Sequence, residues 1–519
     1  MKARGLGLLI AAATFALGAA PAPVDVIIRG GTIYTGADAP FVGDVAVAGD
    51  RISAVGRRIT RPAKRVVDAR GMIVAPGFID PHTHLDAQFA SDDPRVRLIP
   101  AFLLQGVTTA FVGNDGGGRA DVAATLGSAA ETPVGINFGA FVGLGAVRTA
   151  VLGEQDRAPS AAELSRMRGL VASAMCGGAL GLSSGLFYAP QSFASTGEVI
   201  ALAQEAGGRG GVYDSHLRDE SSYTIGLAAA VDEALKIGRE GRLPVNISHI
   251  KALGVDVHGQ APAIIAKVEA ARWAGQRVTA DQYPWSASGT SLAAALVPRW
   301  AQDGGREALL KRFDDPALSA RLRAGMAENL RRRGGAASLL ITEGGQRGRR
   351  LAEVAAARGE DAVAAAVAVI RVADPAVVSF NQTEADIAAF MRRPWVMTGS
   401  DASGGHPRAY GSFARKYREY VVGRRVIRLR EFIERSTALP ADTFGLTGRG
   451  RLKPGAFADV VVFDPKAYAA RATYEHPTLL ASGVRTVLVN GALAVDRGAL
   501  TGMAAGRALR KTPPAGSCP

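Results

Sequence analysis

Cysteine is nearly absent: Cys176 and Cys518 are the only two among 519 residues. That scarcity excludes a thiolate-rich metal cluster and a small disulfide-framed domain. A disulfide between the two is compatible with an exported chain. Free thiols are equally compatible, because Cys518 lies in a Pro/Gly/Ser-containing stretch, residues 506–519, that reads as a flexible tail. Aromatic residues are also few, at 6%. With no aromatics interleaved among scattered arginines, the formal charge of +14 reads as a solvated basic surface that attracts anionic substrates, and no nucleic-acid partner is expected. Past the first residues no apolar run is long enough to cross a bilayer, so no stable membrane anchor is expected either. The start of the chain differs: Lys2 and Arg4 precede an apolar run from Leu6 to about Ala20 that ends in small residues. Residues 1–20 therefore read as a signal peptide, which directs the mature chain to the periplasm or outside the cell.

What is present is the balance of a globular enzyme-sized chain, 48% hydrophobic and 21% charged. Short Gly-punctuated strands fill residues 24–75, and the same texture returns in residues 445–505, so the two ends are expected to build one small β-subdomain. Between them, over residues 76–444, apolar strand-like runs alternate with helical patterns. Eight runs qualify as strands: "GFIDPHTH", "VTTAFVGND", "VGINFGAFVG", "GALGLSSGL", "GVYDSHL", "PVNISHI", "RVTADQYPW" and "WVMTGSD". Eight such units imply an α/β fold, a (β/α)8 TIM-type barrel with its chemistry at the C-terminal strand ends. The spacing breaks once, over residues 299–394, where helical patterns predict an inserted helical subdomain before the last barrel strand.

Histidine is scarce too, with seven in the chain, yet two stand in "VAPGFIDPHTHLDAQ". Residues two apart on a strand point the same way, so His82 and His84 can aim both imidazoles into a barrel. His216 ends "GVYDSH", His249 ends "PVNISH", and Asp401 follows "WVMTGS" in the same manner. Four imidazoles and a carboxylate at predicted strand ends are the donors of a divalent-metal site. His258, His406 and His476 fall in loop-like sequence and receive no metal role.

These segments, with the ending "GRLKPGAFADVVVFDP", resemble the amidohydrolase superfamily; "GLSSGLFYAPQSFAS", "SHLRDES", "SHIKALG" and "SDASGGHPRAYGSFAR" resemble its N-acyl-D-amino-acid deacylase group. The resemblance runs from about Val24 to Gly502. It implies a divalent metal, zinc foremost and one or two ions, with His82, His84 and Asp401 at one position and His216 and His249 at another. The group usually carries a bridging cysteine at the end of the second strand, where this chain has Asp115 in "VGNDGGG". Asp115 is either a bridging carboxylate, a harder ligand than thiolate, or a turn residue ahead of three glycines. The fourth-strand candidate "GALGLSSGL" holds no lysine to serve as a carbamylated bridge, so Asp115 is the expected bridging ligand.

The resemblance further implies Asp401 as metal ligand and catalytic acid/base, and Lys251, Tyr283 and Arg408 as partners of a substrate carboxylate. Tyr188 and Ser286 are expected to line the pocket. The expected reaction is hydrolysis of a linear amide, in an N-acyl-D-amino acid or a short D-residue peptide with a free carboxylate. Two alternatives stay open: a cyclic amidohydrolase of the dihydropyrimidinase or dihydroorotase kind, and an exported metal-binding protein without catalysis.

Overall fold

The fold was obtained as a computed structural model, which describes residues 22–518. The expected signal peptide, residues 1–20, lies outside the described residues. Among these, no helix is long and apolar enough to cross a membrane.

All eight expected strands are present and parallel. They are β1 (Phe78–Asp80), β2 (Val107–Val112), β3 (Asn137–Ala140, resuming at Val142–Gly143), β4 (Gly181–Gly185), β5 (Val212–His216), β6 (Val245–Ile247), β7 (Val278–Gln282) and β8 (Val396–Thr398). Pairing runs from β1 through β2 to β3, and again from β3 through β4 to β8. The ring closes where Thr83, just after β1, bridges Ala402, just after β8. Burial on both faces explains the near-continuous apolar runs: every residue of β2 is buried. The outer helices follow the amphipathic segments, among them Thr196–Gly208, capped by Ser195, Leu227–Gly241, and Ala261–Trp273.

The two chain ends do join in one sheet. Ile73–Pro76 from the first half pairs antiparallel with Val460–Phe463 from the second, at the centre of nine strands. Two boundaries differ from expectation. The insertion leaves the barrel at Ala287–Ser291, and it is not purely helical. That strand and Leu339–Ile341 both pair antiparallel with Ala376–Phe380, and helices such as Pro316–Arg332 and Ala362–Val372 pack around Leu296, Met326, Ile341 and Ile370. Strands of three to five residues leave no periodicity to read, whereas the helices do. Glu384–Met391, expected inside the insertion, packs on Ala261–Trp273 as the barrel's own helix before β8.

The expectation of a flexible tail at 506–519 is also corrected. Leu509 N donates to Phe138 O (2.7 Å), Phe138 N to Arg507 O (3.0 Å), and Lys511 N to Gly178 O (3.0 Å), so the tail runs along the bottom of the barrel. Cys518 is disulfide-bonded to Cys176, at the end of the helix Ala161–Cys176, so neither thiol is free. Pro513, Pro514 and Gly516 oppose a helix at the end of the tail, and its backbone finds partners on the barrel instead.

Candidate metal centre

The site begins with backbone. Asp401 N donates to His82 O (2.9 Å) and His84 N to Ala402 O (3.0 Å), which sets the end of β1 in register with the end of β8. Asp115 follows β2 in a tight turn: Gln191 Nε2 donates to its carbonyl (2.9 Å), and a Cβ at Gly116 would lie 1.9 Å from Gln191 Oε1, so only glycine fits there. Three of the expected donors occupy the left-handed region, Asp115 (φ 55°), His249 (φ 36°) and Asp401 (φ 51°). Such conformations in non-glycine residues cost roughly 1 kcal/mol each. They persist here because strand ends and turns hold both sides.

All six expected metal donors meet. His82 Nε2 lies 3.3 Å from Asp115 Oδ1, while His84 Nε2 lies 3.4 Å from Asp115 Oδ2 and 3.3 Å from Asp401 Oδ1. On the other side of Asp115, His216 Nδ1 is 3.4 Å from Oδ2 and His249 Nε2 is 3.5 Å from Oδ1. Two donor groups result, one of His82, His84, Asp115 and Asp401, the other of Asp115, His216 and His249. Asp115 belongs to both, which is a bridging position and not that of a turn residue alone.

These separations are a test of fit. Donors bound tetrahedrally at zinc distances stand roughly 3.4 Å apart. Direct hydrogen bonds would be shorter, and His82 Nε2, Asp115 Oδ1 and His216 Nε2 have no hydrogen-bond partner although buried. Electrostatics agree. Burial disfavours charge on His84, yet Asp115 and Asp401 outweigh it and push the imidazole up to about 10. Burial and Lys251 oppose charge on His249, and Asp115, Asp401 and Glu220 still carry it to about 10. The field calls for positive charge, which a divalent ion meets. The residues therefore fit a metal, with nitrogen and oxygen donors throughout.

Behind the donors lies a polar floor that the sequence reading missed. Asp281 Oδ1 accepts from His249 N (3.0 Å) and faces His82 Nδ1 at 3.9 Å. Asn246 donates to both Asp281 and Asp214 (2.8 Å each), and Asn114 donates to Asp214 (2.9 Å). Asp80 accepts from Ser400 N (3.0 Å) and His82 N (3.3 Å), and burial raises its carboxyl to about 7. Such groups orient metal-binding histidines. The strand period carried the signal: Asp80 stands two before His82 and Asp214 two before His216, on the same barrel-facing side.

A cavity of about 390 Å³ opens onto His84, Asp115, His216, His249 and Asp401. Lys251, Tyr283, Arg408 and Tyr188 line it as expected. Arg408 Nη1 holds Asp401 Oδ2 at 2.6 Å, and Lys251 Nζ holds Glu220 Oε1 at 2.5 Å; Glu220 was not anticipated. Burial opposes ionisation of Asp401, but Arg408 and the neighbouring imidazoles outweigh it and hold the carboxyl well below the usual range. Gln382 Nε2 donates to the Tyr283 hydroxyl (3.0 Å), and Thr290 Oγ1 to that of Tyr188 (3.4 Å). Ser286 is the exception. It does not line the cavity; its carbonyl accepts from Gln382 N (3.1 Å), and Ser288 lines the cavity instead. His406 also lines the cavity, with Nδ1 accepting from Arg408 N (3.1 Å) and Nε2 against Ala287 O (3.1 Å), so it shapes the loop of Arg408 and is no metal donor.

Residues 65–495 match the model of the amidohydrolase family. The chain belongs to the amidohydrolase family. This amidohydrolase is 34% identical to the D-aminoacylase of Alcaligenes xylosoxydans xylosoxydans over 519 residues, 94% of this chain and 98% of that protein. A crystal structure of N-acyl-D-glutamate deacylase from Bordetella bronchiseptica, complexed with zinc and a phosphonate mimic of the reaction's tetrahedral intermediate, matches with a TM-score of 0.81. It is 33% identical and covers 94% of this chain and 100% of that one. Dihydropyrimidinase from Brevibacillus agri matches with a TM-score of 0.58, a likeness in fold alone, with 16% identity over 94% of this chain and 98% of that one.

Proposed function

We propose that this metal-dependent amidohydrolase cleaves the linear amide of an N-acyl-D-amino acid, or of a short peptide ending in a D-residue, with a free carboxylate on the substrate. One observation carries the reading. Asp401 presents Oδ1 to the metal donors and Oδ2 to Arg408 at 2.6 Å, in a cavity that Lys251 and Tyr283 also line. Metal chemistry and carboxylate recognition thus share one wall, as cleavage beside a carboxylate requires.

His82, His84, Asp115 and Asp401 would hold one ion, zinc foremost, and Asp115, His216 and His249 a second. When bound, the metal supplies a water acidic enough to attack near neutral pH and polarises the scissile carbonyl. Asp401 Oδ1 takes the proton of the attacking water and returns it to the leaving nitrogen. Arg408 and Lys251 orient the substrate carboxylate, Arg408 as a fork and Lys251 as a point charge. Tyr188 and Phe187 pack beside His216 and give the cavity an apolar wall. The D-preference rests on the relatives' activities. The cyclic-amide alternative has less support: its representatives share the fold only, and β4 contains no lysine for a carbamylated bridge.

Export to the periplasm or beyond remains part of the proposal. It is supported by the signal-like first residues and by the Cys176–Cys518 disulfide, which persists in an oxidising compartment. The test of function is amine release from N-acetyl-D- and N-acetyl-L-amino acids with added zinc, cobalt or manganese. Turnover of D-substrates is expected; no turnover on any of them refutes the reading.

A further inference from the structure

The cavity has a second cationic pole that takes no part in the chemistry at Asp401. A run of rings leads to it from the metal donors. Tyr188 packs edge-on to His216 (4.9 Å between centroids), Phe187 to Tyr188 (5.2 Å), and Tyr223 to Phe187 (5.4 Å). The guanidinium of Arg333 lies 5.7 Å from the Tyr223 ring, and that of Arg299 stacks 3.8 Å above Phe187. Both arginines come from the insertion.

The two poles differ in one respect. Arg408 and Lys251 are each neutralised by a carboxylate of the chain, Asp401 and Glu220. Among the described residues, no carboxylate comes within ion-pair distance of Arg299 or Arg333. Arg333 is 2% exposed and lines the cavity; its Nε donates to Ala295 O (3.2 Å), but its Nη1 has no partner. The Tyr223 hydroxyl, also on the cavity, is likewise buried without a partner. Asp219, whose charge is felt at Arg299, is consumed by its own turn through Ser221 N, Thr224 N and Gly226 N. Burial lowers Arg299 to about 10, and Arg333 contributes to the fall, so the two cations repel one another. A buried guanidinium with an unpartnered N–H beside a cavity is costly unless an anion arrives there.

An N-acyl amino acid carries three arms on its Cα. With the amide at the metal donors and the α-carboxylate at Arg408, the side chain is the arm left to follow the aromatic run. We propose that Arg333, with Tyr223 and Arg299, forms a subsite for a carboxylate at the end of that side chain, so that the preferred substrates are acidic N-acyl-D-amino acids. This rests on the deacylase reading.

The test compares kcat/KM for N-acetyl-D-glutamate, N-acetyl-D-glutamine and N-acetyl-D-leucine on the metal-loaded enzyme. Wild type is expected to favour glutamate over glutamine by about 30-fold, the value of a charge-assisted hydrogen bond in a buried site. Arg333→Met should collapse that ratio toward one, Arg333→Lys should retain part of it, and Tyr223→Phe should narrow it several-fold. Tyr223→Phe removes one oxygen only and carries the test should Arg333→Met fail to fold. An equal preference for glutamine or leucine in wild type overturns the inference, as does a ratio unchanged by these substitutions. Absence of turnover on every N-acyl-D-amino acid is a different result, which removes the deacylase reading itself.

Discussion

The two ends of the barrel are both built from buried polar side chains, and they treat them in opposite ways. At the bottom, where the β-subdomain docks, Arg449 pairs with Asp459 and donates to Asn490 Oδ1 (2.8 Å). Asn490 N donates to Asp459 Oδ1 (2.8 Å), its Nδ2 to Asn137 Oδ1 (2.7 Å), and Asn137 Nδ2 to Asp459 Oδ2 (3.2 Å). Every group there finds a partner within the chain. At the top, imidazoles and carboxylates stand 3.3–3.5 Å apart, and the buried ring nitrogens of His82 and the Nε2 of His216 are unpartnered. Closed networks hold a structure together, whereas open ones await a ligand. The division matches the general asymmetry of such barrels, chemistry above and stability below.

Substitutions can break or sharpen this contrast. At the top, Asp401→Asn should lower kcat/KM by about 10,000-fold, close to 5 kcal/mol of transition-state stabilisation, while Tm moves only a few degrees. At the bottom, Arg449→Met should do the reverse. It leaves Asp459 buried and uncompensated at a cost of about 3–5 kcal/mol, read as a lowered denaturation midpoint with turnover per folded molecule preserved. If Arg449→Met instead removes activity without loss of stability, the contrast fails. Asp281→Asn tests the floor between the two ends. Its loss should weaken metal affinity by about 10–100-fold, measured by competition with a chelator.

The smallest effect is a pH dependence. Lys416 is buried with Nζ 3.5 Å from Met397 O, and burial, with Arg435 adding repulsion, lowers it to about 7. The unfolded chain keeps this lysine protonated up to about 10.4. The unfolded state therefore binds more protons between those values, and stability rises with pH across that window. Below about 7 the penalty is fully present. Lys416→Met should raise Tm near neutral pH by a few degrees and flatten the rise toward alkaline pH; an unchanged slope would contradict the assignment.

Much of this was legible because barrel strands are apolar runs that stop where chemistry starts. His82, His84, His216, His249 and Asp401 each follow such a run, so strand, register and donor could be read together. Asp115 was expected as the bridge through its place in the family pattern; the residues alone also allowed a turn residue ahead of three glycines, and its position in both donor groups decides for the bridge. Asp214 and Asp281 were missed because polar residues inside a buried strand read as interruptions, although parity with His216 placed Asp214 on the same face. Glu220 was overlooked because nothing local distinguishes it from a surface acid until Lys251 and His249 close on it. The tail and the insertion's sheet depend on pairing between distant segments, Arg507 with Phe138 and Leu339–Ile341 with Ala376–Phe380, and local pattern does not encode such pairings.

The central claim is that Asp115 joins two groups of donors around bound metal at the mouth of the barrel. Diffraction from zinc-soaked crystals at the zinc absorption edge tests it most directly. The account predicts anomalous density within about 2.2 Å of an Asp115 carboxylate oxygen, bounded by His82, His84 and Asp401 or by His216 and His249, and lost in Asp115→Ala. Density elsewhere, or density that persists unchanged in Asp115→Ala, would contradict it.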